Sequence, residues 1–136
     1  MGALAADRDT LHTQGVDDVL PVAASTKIYG GSMVCSNATG YGVPAADTAA
    51  YVFQGVAQAQ ADNSATATDG YITVLIRRKG SFLFASSGLT QADIGKEAFI
   101  TDDQTINITG ANNAIKCGVI QKVVSATSCW VDISLR

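Results

Sequence analysis

The chain has 136 residues, a net charge of −3, and 47% hydrophobic against 15% charged residues. This is enough chain for one domain that buries roughly two-thirds of its unfolded surface without metal or disulfide staples. The acidic balance excludes a nucleic-acid partner, because phosphate binding needs clustered Lys and Arg, and the nine basic residues are scattered apart from Arg77-Arg78-Lys79.

From the N-terminus, Met1 to Leu20 shows neither helical nor strand periodicity and reads as an extended arm ahead of a single β-rich domain, 21–136. No apolar run approaches the roughly 20 residues that span a bilayer. The opening Met-Gly-Ala-Leu-Ala-Ala-Asp-Arg-Asp lacks the apolar stretch of a signal peptide, so an untargeted protein made in the cytoplasm is expected, with no membrane partner. Gly2 invites N-myristoylation, but Ala6 stands where that motif prefers Ser or Thr.

After Pro21, Val22 to Ile28 runs to a bend at Gly30-Gly31. Met33-Val34-Cys35 and Tyr41-Gly42-Val43 flank Asn37-Ala38-Thr39-Gly40 as a hairpin that Pro44 stops. Tyr51 to Ala59 is a further strand with a bulge or close backbone approach at Gly55, followed by a polar loop over 61–70. Tyr71 to Arg77 places Ile72, Val74 and Ile76 on one face and Tyr71, Thr73, Leu75 and Arg77 on the other, which suits a central strand. Lys79-Gly80 turns the chain so that Ser81 to Ala85 returns as its hairpin partner, with Arg77, Arg78 and Lys79 at the tip.

Thr90-Gln91-Ala92-Asp93 sets a hydroxyl three residues before a carboxylate, a helix start that Gly95 ends after one turn. Beyond the Asp102-Asp103-Gln104 turn, Thr105 to Ile108 alternates, and Gly110-Ala111-Asn112-Asn113 turns into Ile115 to Val124. In the last strand Cys129, Val131, Ile133 and Leu135 share a face opposite Trp130, Asp132 and Ser134. Short strands at this spacing predict a mainly β fold, a small barrel or sandwich with one short helix.

Cys35, Cys117 and Cys129 cannot all pair and form no Cys-x-x-Cys, so buried free thiols made in a reducing compartment are expected. The single His12 has no ligand partner at coordinating spacing. No nucleophile elbow, phosphate loop or His-Glu-x-x-His occurs, and no catalytic residue, cofactor or metal ligand is assigned. Asp17-Asp18 and Asp102-Asp103 read as structural carboxylates, since neighbours on a strand face opposite ways, and Asp102 suits closing a turn. The Arg77-Arg78-Lys79 run reads as a solvated tip or a site for an acidic protein partner. The sequons at Asn37 and Asn107 read as turn and strand residues.

Val22 to Ile28 leading into Gly30-Gly31 and Val34, then Gly40-Tyr41-Gly42-Val43-Pro44, Gly55-Val56-Ala57 and Tyr71 to Phe84 make up a pattern. With Gln91 to Lys96 and Asp102 to Thr105 it covers most of the chain after the arm. The pattern resembles the small capsid decoration, or cement, proteins of tailed bacteriophages. That resemblance implies a body on the outer face of the head, often a homotrimer, clamping neighbouring major capsid protein subunits. It gives the arm part of the grip, with Leu4, Asp7, Arg8, Leu11, His12, Val16 and Leu20 as contact residues. This arm departs from the family in not being especially apolar. Another virion component, such as a head fibre base or tail module, is a second expectation. A third is a carbohydrate-binding module with Tyr29, Tyr41, Tyr51 and Trp130 as stacking platforms, although the same aromatics equally serve a core.

Overall fold

The computed structural model describes residues 2–110 and 112–135, and for Leu135 the backbone alone. Met1, Ala111, Arg136 and the Leu135 side chain, which the arm, the turn after Gly110 and the last strand were expected to include, lie outside the described residues. In chain order the strands are β1 (Asp17–Pro21), β2 (Lys27–Ile28), β3 (Met33–Ser36), β4 (Gly42–Pro44), β5 (Val52–Ala57), β6 (Ala61–Asp62), β7 (Thr73–Arg77), β8 (Ser81–Ala85), β9 (Glu97–Ile100), β10 (Ile106–Asn107), β11 (Lys116–Ser125) and β12 (Ser128–Asp132). Single 3-10 turns occupy Gln91–Asp93 and Ile133–Leu135.

Two five-stranded antiparallel sheets, ordered β1-β7-β5-β3-β4 and β10-β9-β11-β12-β8, form a sandwich-like body with a β2-β6 ribbon beside them. Lone parallel bridges, Val22 to Gly42 and Ala85 to Thr105, draw the edges of each sheet toward one another. Neither sheet closes, so of barrel and sandwich it is the sandwich that the chain adopts.

The core has two parts. Met33, Cys35, Val43, Phe53 and Val56 of the first sheet pack with Phe84, Ile100, Ile106, Cys117, Ile120, Cys129 and Val131 of the second. Val22, Ile28, Val34, Ala57, Ala61, Val74 and Ile76 form a smaller cluster reached by the ribbon. Because side chains alternate along a strand, Val34 points away from Met33 and Cys35, and β3 is buried on both faces. Each fully buried Val or Ile stabilises the fold by roughly 1.5–3 kcal/mol.

Several local expectations hold for physical reasons. The β3-β4 hairpin turns on Asn37, whose Oδ1 accepts hydrogen bonds from the Thr39 and Tyr41 amides at 3.1 and 3.0 Å and from the Thr39 hydroxyl at 2.9 Å. Asn107 does the same for Thr109 and Gly110, so both sequon asparagines are turn-closing side chains. At Gly55 the β3-β5 register shifts, and a Cβ there would stand 2.5 Å from the Arg77 carbonyl oxygen, so β7 approaches β5 as no side chain would allow.

Three expectations are corrected. Ser81 to Ala85 is not the hairpin partner of Tyr71 to Arg77: β7 is flanked by β1 and β5, while β8 belongs to the other sheet beside β12. With both edges of β7 occupied, Lys79-Gly80 carries the chain between sheets, anchored by the Ile133 amide on the Gly80 carbonyl. The strand expected over Val22 to Ile28 shrinks to Lys27–Ile28, because Ala24 is tied to Asp69 and Ser25 takes φ of 55°. The loop over 61–70 begins as β6 and buries Asn63, whose Nδ2 donates to the carbonyls of Val22, Ala23 and Thr68 while its Oδ1 has no hydrogen-bond partner among the described residues.

The tightest backbone approach is at Gly118, where a Cβ would collide with the Asp132 carbonyl oxygen. Gly118→Ala should therefore lose about 1–3 kcal/mol of unfolding free energy, as overpacked sites do. Urea denaturation checks this, and a midpoint equal to that of the parent chain would contradict it.

Candidate functional site

Residues 2–14 are exposed and carry no regular structure. Leu4 and Leu11 are 72% and 93% exposed, and Asp7, Arg8 and His12 are exposed with them. Asp17 to Leu20, expected in the arm, instead belong to β1, and Leu20 packs on the smaller core cluster. Val16 sits at the junction, its carbonyl accepting the Arg78 amide at 2.7 Å.

The reason for the shift is electrostatic as well as apolar. Antiparallel pairing sets Asp17 opposite Arg77 and Asp18 opposite Ile76, beside Arg78. Arg77 Nε donates to Asp17 Oδ1 at 2.9 Å, Arg78 Nη2 to Asp18 Oδ2 at 3.2 Å, and Arg78 Nη1 to Gln54 Oε1 at 2.9 Å. Gln58 adds a bond to Asp17, and Lys79 Nζ donates to the Gln14 carbonyl at 3.1 Å. The Arg77 hydrogen bond, followed by its charge, holds the Asp17 carboxyl below the usual carboxylate range. Thus the basic run is not a hairpin tip. The acidic segment it meets within the chain is Asp17-Asp18, and the ladder fixes the arm's point of exit. Two adjacent acids matched by two adjacent bases were the available signal, missed because the acids were read as part of the arm.

All three cysteines are free and buried, as expected, and burial pushes the Cys35 and Cys117 thiols up to about 12 and raises that of Cys129. Asp102 closes its turn through a 2.9 Å bond from the Gln104 amide. Asp93, in the expected one-turn helix, accepts from Lys96 Nζ and the Thr90 amide, each at 2.8 Å. Among the described residues no group of three or more His, Cys, Asp or Glu could hold a metal ion, and no helix is long and apolar enough to cross a membrane.

Two grooves remain. The first lies between Ala49–Phe53 and Asn113–Lys116, and its polar side chains are engaged: Asn113 bonds Asp47 and Lys116 bonds Glu97. The second, of about 400 Å³, lies between the bend Tyr29–Ser32 and the Asp103-Gln104 turn. Of the four aromatics weighed as platforms, Tyr41 and Tyr51 pack against the core, whereas Tyr29 is 57% and Trp130 38% exposed.

The Lys96 ammonium and the Thr90 amide keep the Asp93 carboxyl below its ordinary range. A depressed folded value means the stabilisation is complete above the unfolded value of about 3.9 and is lost as pH falls through the folded one. Melting temperatures should therefore drop below about pH 4, and Asp93→Asn should flatten that decline while lowering the neutral-pH melting temperature by a few degrees. An acid slope identical in the variant would assign the effect elsewhere.

No family model, curated protein or solved structure matches the chain.

Proposed function

We propose that this chain is a non-enzymatic capsid decoration protein that binds the outer surface of a tailed-phage head and braces neighbouring major capsid protein subunits. The observation that carries the reading is the arm: an exposed, unstructured segment bearing Leu4 and Leu11, joined to a packed β body by the Asp17-Arg77 and Asp18-Arg78 ladder. The sequence pattern described above supplies the partner.

The physics suits a clamp. A firm exit point makes the arm's reach a property of its own length, about 45 Å for 14 extended residues, which is enough to cross a seam between subunits. Ordering the arm on a shell costs conformational entropy, which burial of Leu4 and Leu11 offsets in part. Many copies bound side by side, with homotrimers as the assembling unit, then resist dissociation through multivalency even where each contact is weak. The acidic net charge keeps such a protein off packaged DNA. Manufacture in the host cytoplasm and residence on the virion surface follow from this reading.

Purified protein added to expanded heads that lack it should raise their rupture temperature and co-sediment with them. Removal of residues 2–13 should abolish both effects while leaving the melting temperature of the isolated body within a few degrees of the full chain. Absence of binding at micromolar protein would overturn the assignment, and full activity of the truncated chain would overturn the arm's role in it.

A further inference from the structure

The groove between the bend after β2 and the turn before β10 is lined by Tyr29, Gly30, Gly31, Ser32, Asp103 and Gln104. We propose that it is a sugar-binding subsite, taking one neutral pyranose ring of a glycan against the exposed Tyr29 ring.

The platform is held in place. Lys27 Nζ sits 5.0 Å from the centroid of the Tyr29 ring, a cation–π contact, and Tyr29 remains 57% exposed. The bend beneath it is firmly bonded: the Tyr29 carbonyl accepts both the amide and the hydroxyl of Ser32, at 3.2 and 2.7 Å, and the Gly31 amide donates to the Ala57 carbonyl at 2.7 Å. Gly31, at φ of 84° with open space where a Cβ would be, lets a ligand approach the backbone.

The opposite wall is equally fixed, and its polar side chains are uncommitted. The Asp103 carbonyl accepts the Met33 amide at 2.8 Å and the Gln104 carbonyl accepts the Ala85 amide at 3.0 Å, so the turn is tied to both sheets. Yet neither the Asp103 carboxylate nor the Gln104 amide hydrogen-bonds another described residue, nor does the Tyr29 hydroxyl. In the first groove, by contrast, Asn113 and Lys116 are already paired.

An aromatic face beside a free carboxylate and a free amide on rigid walls matches the chemistry of a sugar. The C–H face of a pyranose lies on an aromatic ring, while vicinal hydroxyls donate to a carboxylate and exchange hydrogen bonds with an amide. Phosphorylated or carboxylated ligands are disfavoured by Asp103, and a purely apolar ligand would leave these polar groups desolvated and unpaired. An open groove with one platform implies a dissociation constant on the order of 1 mM per ring.

The test is an amide-resolved NMR titration of the full chain with glucose, galactose and N-acetylglucosamine to about 20 mM, and with isolated bacterial surface polysaccharide. Shifts are expected at Gly30, Gly31, Ser32, Asp103 and Gln104. Tyr29→Ala and Asp103→Ala should each weaken binding about tenfold or more without altering the melting temperature, and Tyr29→Phe should retain most of it. Response to a free sugar identifies a single-ring ligand and response to polymer alone a surface glycan, and either supports the proposal. No response to any of these probes, or shifts centred on Trp130 that survive Tyr29→Ala, would overturn it. Because the titration uses the isolated chain, its outcome is independent of whether the protein binds a phage head.

Discussion

Strand β3 is the constraint on which the rest of the body depends. All four of its residues are buried, with Met33 and Cys35 in the core between the sheets and Val34 in the cluster behind them. It pairs with β4 on one side and β5 on the other, and its first amide is bonded to Asp103 in a turn of the opposite sheet. A strand enclosed in this way has no solvent face on which to slip register, since a one-residue shift would exchange its two sets of contacts. The bulge at Gly55 then sets how β7 follows, because the absence of a side chain there lets the Arg77 carbonyl close on β5.

From that frame the charged ladder follows. Once β7 lies beside β5, its other edge is open, and β1 fills it with Leu20 packing on the smaller cluster and Asp17 and Asp18 meeting Arg77 and Arg78. Exposed ion pairs of this kind add little to stability singly. Their effect here is placement, in that they determine which residue is the last of the body and which is the first of the arm. Pro21 and the two acids also blunt an edge strand that would otherwise invite pairing with another chain.

The exposed arm and the Tyr29 groove both adjoin firmly bonded parts of the frame. The arm leaves from the ladder, and the Tyr29 groove lies between two turns with bonded backbones, where the Asp103 and Gln104 side chains have no hydrogen bond to another described residue. Elsewhere polar side chains are consumed in holding turns, as at Asn37, Asn107 and Asp93.

The amino-acid order by itself determined the β class, the Asn37 hairpin, the bulge at Gly55, the single turn after Thr90, the buried thiols and an unstructured start. Each of these is written in short-range terms: alternation of period two, an Asx residue before a Gly, a capping residue, an apolar setting for sulfur. Only the tertiary structure decided that β7 and β8 part into different sheets, that Asp17 to Leu20 join the body, that Asn63 is buried under three carbonyls, and that Tyr29, Asp103 and Gln104 line one groove. The Lys79-Gly80 turn signals a reversal but not a partner, and the pairing is settled by which strand edges still have unpaired amides and carbonyls once distant segments have packed.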